Sequence, residues 1–160
     1  MVRTEISLFL ENAPGELGKL TSMLSEAGIN IDALTIQDAS EYVQGLFKAR
    51  GKSLKRIAPA ASYGSMQKDS ADHALVRLLV SETDKSVDLL SSAGYVFDIM
   101  SVIALEIDNK PGTLAKLAKK FGEKKININY VYGSALPKGE KSLFVFCPED
   151  IDLAASIFKD

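Results

Sequence analysis

From Thr4 to Leu10 apolar and polar residues alternate, with Ile6, Leu8 and Leu10 on one side and Glu5, Ser7 and Phe9 on the other. This is the period of a half-buried strand. After a turn the period changes: Leu17, Leu20, Leu24 and Ala27 recur at helical spacing and form one apolar stripe. Gly28 is where that helix would stop, because glycine enters the left-handed conformation without a Cβ penalty. Ile29 to about Ala39 predicts a second strand. Residues 73–80 are apolar almost throughout, Arg77 excepted, which predicts a third strand in a central position. Ser81 and Asp84 have the spacing of a capping box ahead of a helix with Val87, Leu90 and Ala93 inward, stopped at Gly94; Tyr95 to Ser101 predicts a fourth strand. Strand, helix, strand, strand, helix, strand is the split β-α-β order of a ferredoxin-like domain.

The same rhythm then returns. Ile103, Leu105 and Ile107 form the inner side of a strand, Leu114, Leu117, Ala118 and Phe121 a helical stripe, and Ile126 to about Gly133 a second strand. A short hairpin at Pro137-Lys138-Gly139 leads to a third strand, Ser142 to Cys147; Pro148 stands where proline is tolerated at a helix start, before the stripe Ile151, Ala154, Ile157, Phe158. No last strand is evident after it. Sliding the chain by 97 positions without a gap makes 12 of the 29 positions from Ile6 to Leu34 identical, a repeat that outranks any local signal. The expected architecture is therefore α+β: two ferredoxin-like βαββαβ units in tandem, with antiparallel sheets and helices on one face. The first unit spans 1–100 and the second 101–160.

Almost no linker separates the two. A continuous eight-strand sheet would need a crossing of about six strand spacings, roughly 29 Å, whereas two or three residues reach only about 10 Å. Residues 95–108 are thus expected to be one extended segment shared by both units, leaving the second strands to pair with another chain in a homodimer. Residues 41–72 break the rhythm and have no counterpart in the second unit: Gly45, Gly51, Pro59 and Gly64 stand among Lys48, Arg50, Lys52, Lys55 and Arg56. This insertion joins the second and third strands at the end of the sheet that carries the first turn. It has three readings: a lid over a ligand, a basic arm that docks an acidic protein partner, or a plain flexible loop.

The chemistry is concentrated in the repeated turn, Asn12-Ala13-Pro14-Gly15-Glu16-Leu17 and Asn109-Lys110-Pro111-Gly112-Thr113-Leu114. A helix N-terminus presents unpaired N–H groups and a positive dipole end, which suit a carboxylate. Glycine, taken as the second helical residue, would let a ligand approach the backbone. An asparagine can accept from an ammonium and donate to a carboxylate. The bland alternative is that asparagine is an N-cap and proline a first-turn residue. Repetition favours the functional reading, as does the asparagine kept at both second strands, Asn30-Ile31 and Asn127-Ile128, where strand propensity disfavours it.

Composition narrows the classes further. Apolar residues make up 46%, a quarter of the chain is charged and the net charge is −2, which excludes a disordered chain and gives no reason to expect nucleic acid. Cys147 is the only cysteine and His73 the only histidine, so neither a disulfide framework nor a clustered zinc site fits within one chain, and Cys147 reads as a small buried apolar residue. The first residues, Met1 to Glu5, lack the pattern of a signal peptide and no apolar run approaches a membrane span; a cytoplasmic protein with no membrane partner is expected. No phosphate-binding glycine loop or nucleophile elbow is present, which argues against an enzyme of ferredoxin-like fold. RNA binding is a further reading, because Phe144 and Phe146 sit two apart on a third strand as stacking aromatics would.

Two βαββαβ units that each carry Asn-x-Pro-Gly-x-Leu after the first strand resemble a tandem pair of ACT domains, and a tandem with no enzyme attached resembles the stand-alone ACT proteins of prokaryotes. The resemblance implies a regulatory, non-catalytic module without cofactor or metal that binds a small effector, most often an amino acid, where ACT units meet. The positions it implicates are Asn12, Ala13, Pro14, Gly15, Glu16 and Leu17 with Asn30 and Ile31 of a neighbouring unit, and Asn109, Lys110, Pro111, Gly112, Thr113 and Leu114 with Asn127 and Ile128. Leu10 and Ile107 stand two residues before the motif, where amino-acid-binding members can carry a histidine.

Overall fold

One strand of twelve residues, β4 (Phe97–Asp108), passes through the position expected to divide the two units. The computed structural model describes residues 1–38, 73–134 and 141–158. Before β4 come β1 (Val2–Glu11), α1 (Glu16–Glu26), β2 (Ile31–Asp38), β3 (His73–Val80) and α2 (Thr83–Ser92). After it come α3 (Thr113–Glu123), β5 (Ile128–Ser134), β6 (Lys141–Pro148) and α4 (Ile151–Ser156). The 41–72 insertion and the Pro137-Lys138-Gly139 hairpin lie outside the described residues.

The strands form one antiparallel sheet in the order β2-β3-β1-β4-β6-β5. Residues 97–103 of β4 pair with β1, and residues 103–108 pair with β6. The extended segment expected over 95–108 is therefore a single strand that serves both halves. In the β1–β4 ladder Thr4 stands opposite Ser101, which is its own equivalent 97 positions on. A pair of equivalent residues facing each other across antiparallel strands marks a local two-fold axis, and it relates the two halves. Each first strand thereby takes the place of the other half's last strand, which is why the second half completes its sheet without a last strand of its own. Both second strands, β2 and β5, end up as the edges.

Strand alternation assigns the faces. Ile6, Leu8 and Leu10 of β1 and Val76, Leu78 and Val80 of β3 pack with Leu20 and Leu24 of α1 and Leu90 of α2. Ile103 and Phe146 pack with Phe121 of α3 and Ala154 of α4. Phe97 joins the first cluster and Ile103 the second, and odd positions of one strand share a face, so the four helices cover the same side. Among the described residues no helix covers the opposite face. It curls until Ala33 of one edge strand and Tyr130 and Tyr132 of the other meet in a cluster with Leu79, Val102, Val145 and Cys147.

Several local expectations change. Phe146 is buried against Phe121, their ring centroids 5.4 Å apart, and Phe144 lies on the same helix-covered side. Neither presents a ring on an open sheet face, which removes the feature that suggested RNA. Ser81 does not cap α2, whose N-cap is Glu82 without a side-chain bond. Its hydroxyl instead accepts from the Asn30 N–H at 3.0 Å, tying α2 to the start of β2. Pro148 ends β6, and the cap of α4 is Asp150, which accepts from the Leu153 N–H at 2.9 Å. Ala118 faces solvent, because the seam of α3 runs through Leu117 and Phe121.

The repeat also exposes one strained position. α1 is followed by Gly28 in the left-handed conformation, φ +71°, whereas its equivalent after α3 is Lys125 at φ +56°. A side chain in that region costs about 1–2 kcal/mol, part of which glycine's freer unfolded chain returns. Lys125→Gly is expected to raise the unfolding free energy by about 0.5–1 kcal/mol. A shift of the urea midpoint to higher concentration at unchanged slope is the readout, and a lower midpoint would contradict it.

Candidate functional site

Pro-Gly after a strand is the signal for a type II turn, with proline fixing φ at the second position and glycine supplying positive φ at the third. Both copies adopt it. Glu16 N–H bonds to Ala13 O at 3.3 Å and Thr113 N–H to Lys110 O at 3.2 Å, with Gly15 at φ +95° and Gly112 at φ +88°. These glycines are the N-caps of α1 and α3, not second helical residues, and neither helix has a side-chain cap. The asparagines are therefore not N-caps. A Cβ on either glycine would meet nothing within 4 Å, so glycine is demanded by its φ and the space over each helix start is open. The first-turn N–H groups of Leu17 and Gly18, and of Leu114 and Ala115, are left without a side-chain acceptor.

The two turns differ in charge. Asn12 is exposed, and Glu16 pairs with Lys19; the hydrogen bond the lysine donates to that carboxylate holds it above its usual range. Asn109 is half-buried, and Lys110 pairs with Asp108 at 2.9 Å, holding that carboxyl below its usual range through the same kind of bond.

At the start of β2, Asn30 exchanges backbone bonds with Ser81: its N–H donates to the hydroxyl, and its carbonyl accepts from the Ser81 N–H at 2.9 Å. The Asn30 amide donates to Asp32 Oδ1 at 2.9 Å, and Asp32 Oδ2 accepts from Arg3 at 2.7 Å. At the start of β5 the Asn127 carbonyl accepts from the Glu149 N–H at 2.9 Å. Glu11 pairs with His73 and Ile31 with Val80, so the Asn12 turn and the Asn30 end lie seven positions apart along β3. At about 3.3 Å per residue that is roughly 23 Å. Ile128 sits at the level of Pro148, Ser101 and Thr4, far from either turn. One chain brings no turn against a second-strand start.

Sequence reasoning missed a buried polar cluster on the open face. Glu5 is fully buried and accepts from Tyr130 and Tyr132, the latter at 2.8 Å, with the Ser7 hydroxyl at 3.3 Å. Arg77 Nε lies 3.8 Å from the same carboxylate, and the guanidinium stacks 4.0 Å over the Tyr130 ring. A buried charge is tolerated only when paired and hydrogen-bonded, and Glu5 has both. Burial pushes both phenols well above their ordinary range, and the carboxylate they donate to adds to it. The available signals were Arg77, the one charge in an apolar strand, and Glu5 on the far side of an alternating one.

Comparison with known families finds a match to the ACT domain pair over residues 45–158, which takes in the whole second half and excludes the first turn. Among solved structures, protein BT0572 from Bacteroides thetaiotaomicron is 26% identical over 99% of this chain and 88% of its own, with a TM-score of 0.72. The ligand-free regulatory subunit of aspartate kinase from Thermus thermophilus has a TM-score of 0.55 at 13% identity, over 99% and 96%. A structure of aspartokinase alpha and beta subunits has 0.56 at 13%, over 98% and 92%. The last two share the fold. No curated protein sequence matches.

The buried phenols generate a pH signature. A phenol that resists ionisation in the folded chain leaves stability intact below its unfolded value of about 10 and removes it as pH rises above that, because only the unfolded chain releases the proton. Unfolding free energy is expected to fall above about pH 10, and the Tyr130→Phe, Tyr132→Phe double variant to fall less steeply. Chemical denaturation at a series of alkaline pH values measures both slopes; equal slopes would be the contrary result.

Proposed function

Because the chain belongs to the ACT domain pair family, we propose that it is a non-catalytic regulatory protein whose effector, an amino acid, binds where ACT units of two chains meet. The observation that carries this reading is the repeated turn: two helices that start on a left-handed glycine, uncapped by any side chain, each preceded by an asparagine. Free N–H groups at a helix start suit the effector's carboxylate, and an asparagine carbonyl suits its ammonium. The halves 1–100 and 101–160 would each supply one turn.

The edges of the sheet support a homodimer as the setting. Among the described residues β2 and β5 have a partner on one side only, and Ile36 on β2 and Val131 on β5 are exposed apolar residues there. An unpaired edge of this kind invites another strand. If β2 of a second chain adds antiparallel with its Ile31 opposite Asp38, the partner strand's start comes level with the end of β1, at the end of the sheet that carries the Asn12 turn and roughly 14 Å across from it. The offset of roughly 23 Å along the strands within one chain is then removed between two, leaving the lateral one. Among the described residues no helix is long and apolar enough to cross a membrane.

Thermal-shift screening against the twenty amino acids identifies the effector. Asn12→Ala and Asn109→Ala are each expected to weaken its binding about tenfold or more, since an amide lost from a polar site costs about 1–3 kcal/mol. Unchanged affinity in both single variants and in the double variant would remove the basis for the site. Sedimentation at micromolar concentration is expected to give twice the mass of one chain, and a strict monomer would sink the interfacial arrangement.

A further inference from the structure

The open face of the sheet carries a cleft of about 660 Å³ that involves neither repeated turn. Three strands set its floor. Ser7 of β1 stands opposite both Arg77 of β3 and Asp98 of β4, so a cation, a small hydroxyl and an anion lie in one row across the sheet. Cross-strand neighbours share a face, and strands are spaced about 4.8 Å apart, which puts the two charged residues' backbones roughly 10 Å from each other. Phe9, Leu75 and Val96 give the cleft apolar walls, and Gln37 and Asn129 reach it from the two edge strands.

Arg77 is the anomaly. Its side chain is 13% exposed, yet its contacts are the Glu5 ion pair at 3.8 Å and the Tyr130 ring, and neither is a hydrogen bond. Among the described residues no acceptor engages the guanidinium's five donors. Arg77 lines the cleft, so its donors are available to a molecule seated there. The nearby carboxylate does not fill that role, because Glu5 is held by Tyr130, Tyr132 and Ser7. Asp98 spends one oxygen on the Ile99 N–H at 2.8 Å and is otherwise exposed in the cleft.

We infer that this cleft is a second binding site, separate from the turns, for a small zwitterion with an apolar body, held with its carboxylate on Arg77 and its ammonium on Asp98. The opposite charges of Arg77 and Asp98 in one row select this class. Glu5, Arg77 and Asp98 together leave the site one negative charge in excess, which disfavours a plain anion and repels a dianion, while an ammonium offsets it. A guanidinium takes a carboxylate by two parallel hydrogen bonds. A molecule whose two charged groups are joined by one carbon presents both of them to a cleft that carries a guanidinium and a carboxylate. Ser7 between them keeps the floor low enough for it to lie there. The ligand class overlaps that of the proposed effector, but the residues do not.

The chain has no tryptophan, and Tyr130 lies directly under Arg77, so tyrosine fluorescence reports on the cleft. The full chain is titrated with L-leucine, with 4-methylpentanoate, which lacks the ammonium, and with 3-methylbutylamine, which lacks the carboxylate. Leucine is expected to change the tyrosine signal and to bind about tenfold or more tighter than either analogue. Asp98→Asn is expected to weaken leucine by about tenfold while leaving 4-methylpentanoate unweakened. Arg77→Met is expected to abolish both; because Arg77 also neighbours Glu5, Ser7→Val, which fills the floor, serves as the second variant and is expected to do the same. The Asn12→Ala, Asn109→Ala double variant is expected to keep the tyrosine response. Leucine binding that is unaltered in Asp98→Asn and Ser7→Val overturns the cleft, as does a response lost in the asparagine variant alone, which would leave the turn site standing. A response lost only in the cleft variants is the expected result, and the turn site keeps its own test in the affinity of the asparagine variants.

Discussion

The antiparallel pairing of β1 with β4, in the register that sets Thr4 against Ser101, governs everything built on this sheet. Shifting it by one residue would turn every side chain of one half to the other face, exchanging Ile103 and Leu105 for Val102 and Ala104 under the helices. With the register fixed, each half lends the other its first strand in place of a last one. The strand order then leaves both second strands outermost and sends the two Pro-Gly turns to opposite ends of the central ladder. A turn and a second-strand start can approach each other only between sheets, not within one.

The backbone repeats about this axis, but the chemistry of the open face does not. Where the first half has Glu5, the second has Val102; Tyr130 and Tyr132 have Ala33 and Thr35 as counterparts; and Val145 stands where Arg77 does. All the charge of the buried cluster therefore lies on one side of the axis. Replacing such a cluster by apolar residues is often neutral or stabilising, so its retention in one half alone calls for a reason other than stability. The geometry supplies one: both phenols belong to the β5 edge and their acceptor to β1, three strands inward, so the bonds span the curl of the sheet.

What the chain revealed by its sequence was what depends on local rules. Alternation in β1, the helical stripe of α1 and the glycine stop at Gly28 each follow from period and backbone preference, and the two-half architecture followed from the 97-residue offset. The sharing of β4 was legible because Ser101 and Ile103 leave no length for a crossing. Legibility failed where one residue had two roles open to it. Ser81 has the spacing of a cap but bonds to Asn30, and Pro148 suits a helix start but ends a strand. Phe144 and Phe146 alternate correctly, yet alternation alone does not say which side the helices cover. The Glu5 cluster joins residues 125 or more positions apart, Glu5 with Tyr130 and Tyr132, and no local pattern encodes such a meeting. The turns were found by repetition, but their conformation needed the Pro-Gly pair to be read as a type II turn.

The same strands that edge the sheet also reach its cleft. Gln37 belongs to β2, and Asn129 and Tyr130 to β5, while the floor residues belong to the inner strands. A strand added to either edge must accept that edge's position and twist, and a molecule seated between Arg77 and Asp98 touches side chains from both edges at once. Two binding events that act on one pair of strands are linked, and linkage is reciprocal: whatever edge position favours one ligand shifts the affinity of the other by the same factor. Six strands curled over an open face thus give a regulatory module two variables, the separation of its edges and the occupancy of the space between them. The Tyr130–Glu5 and Tyr132–Glu5 bonds, made across that space, set the separation at rest.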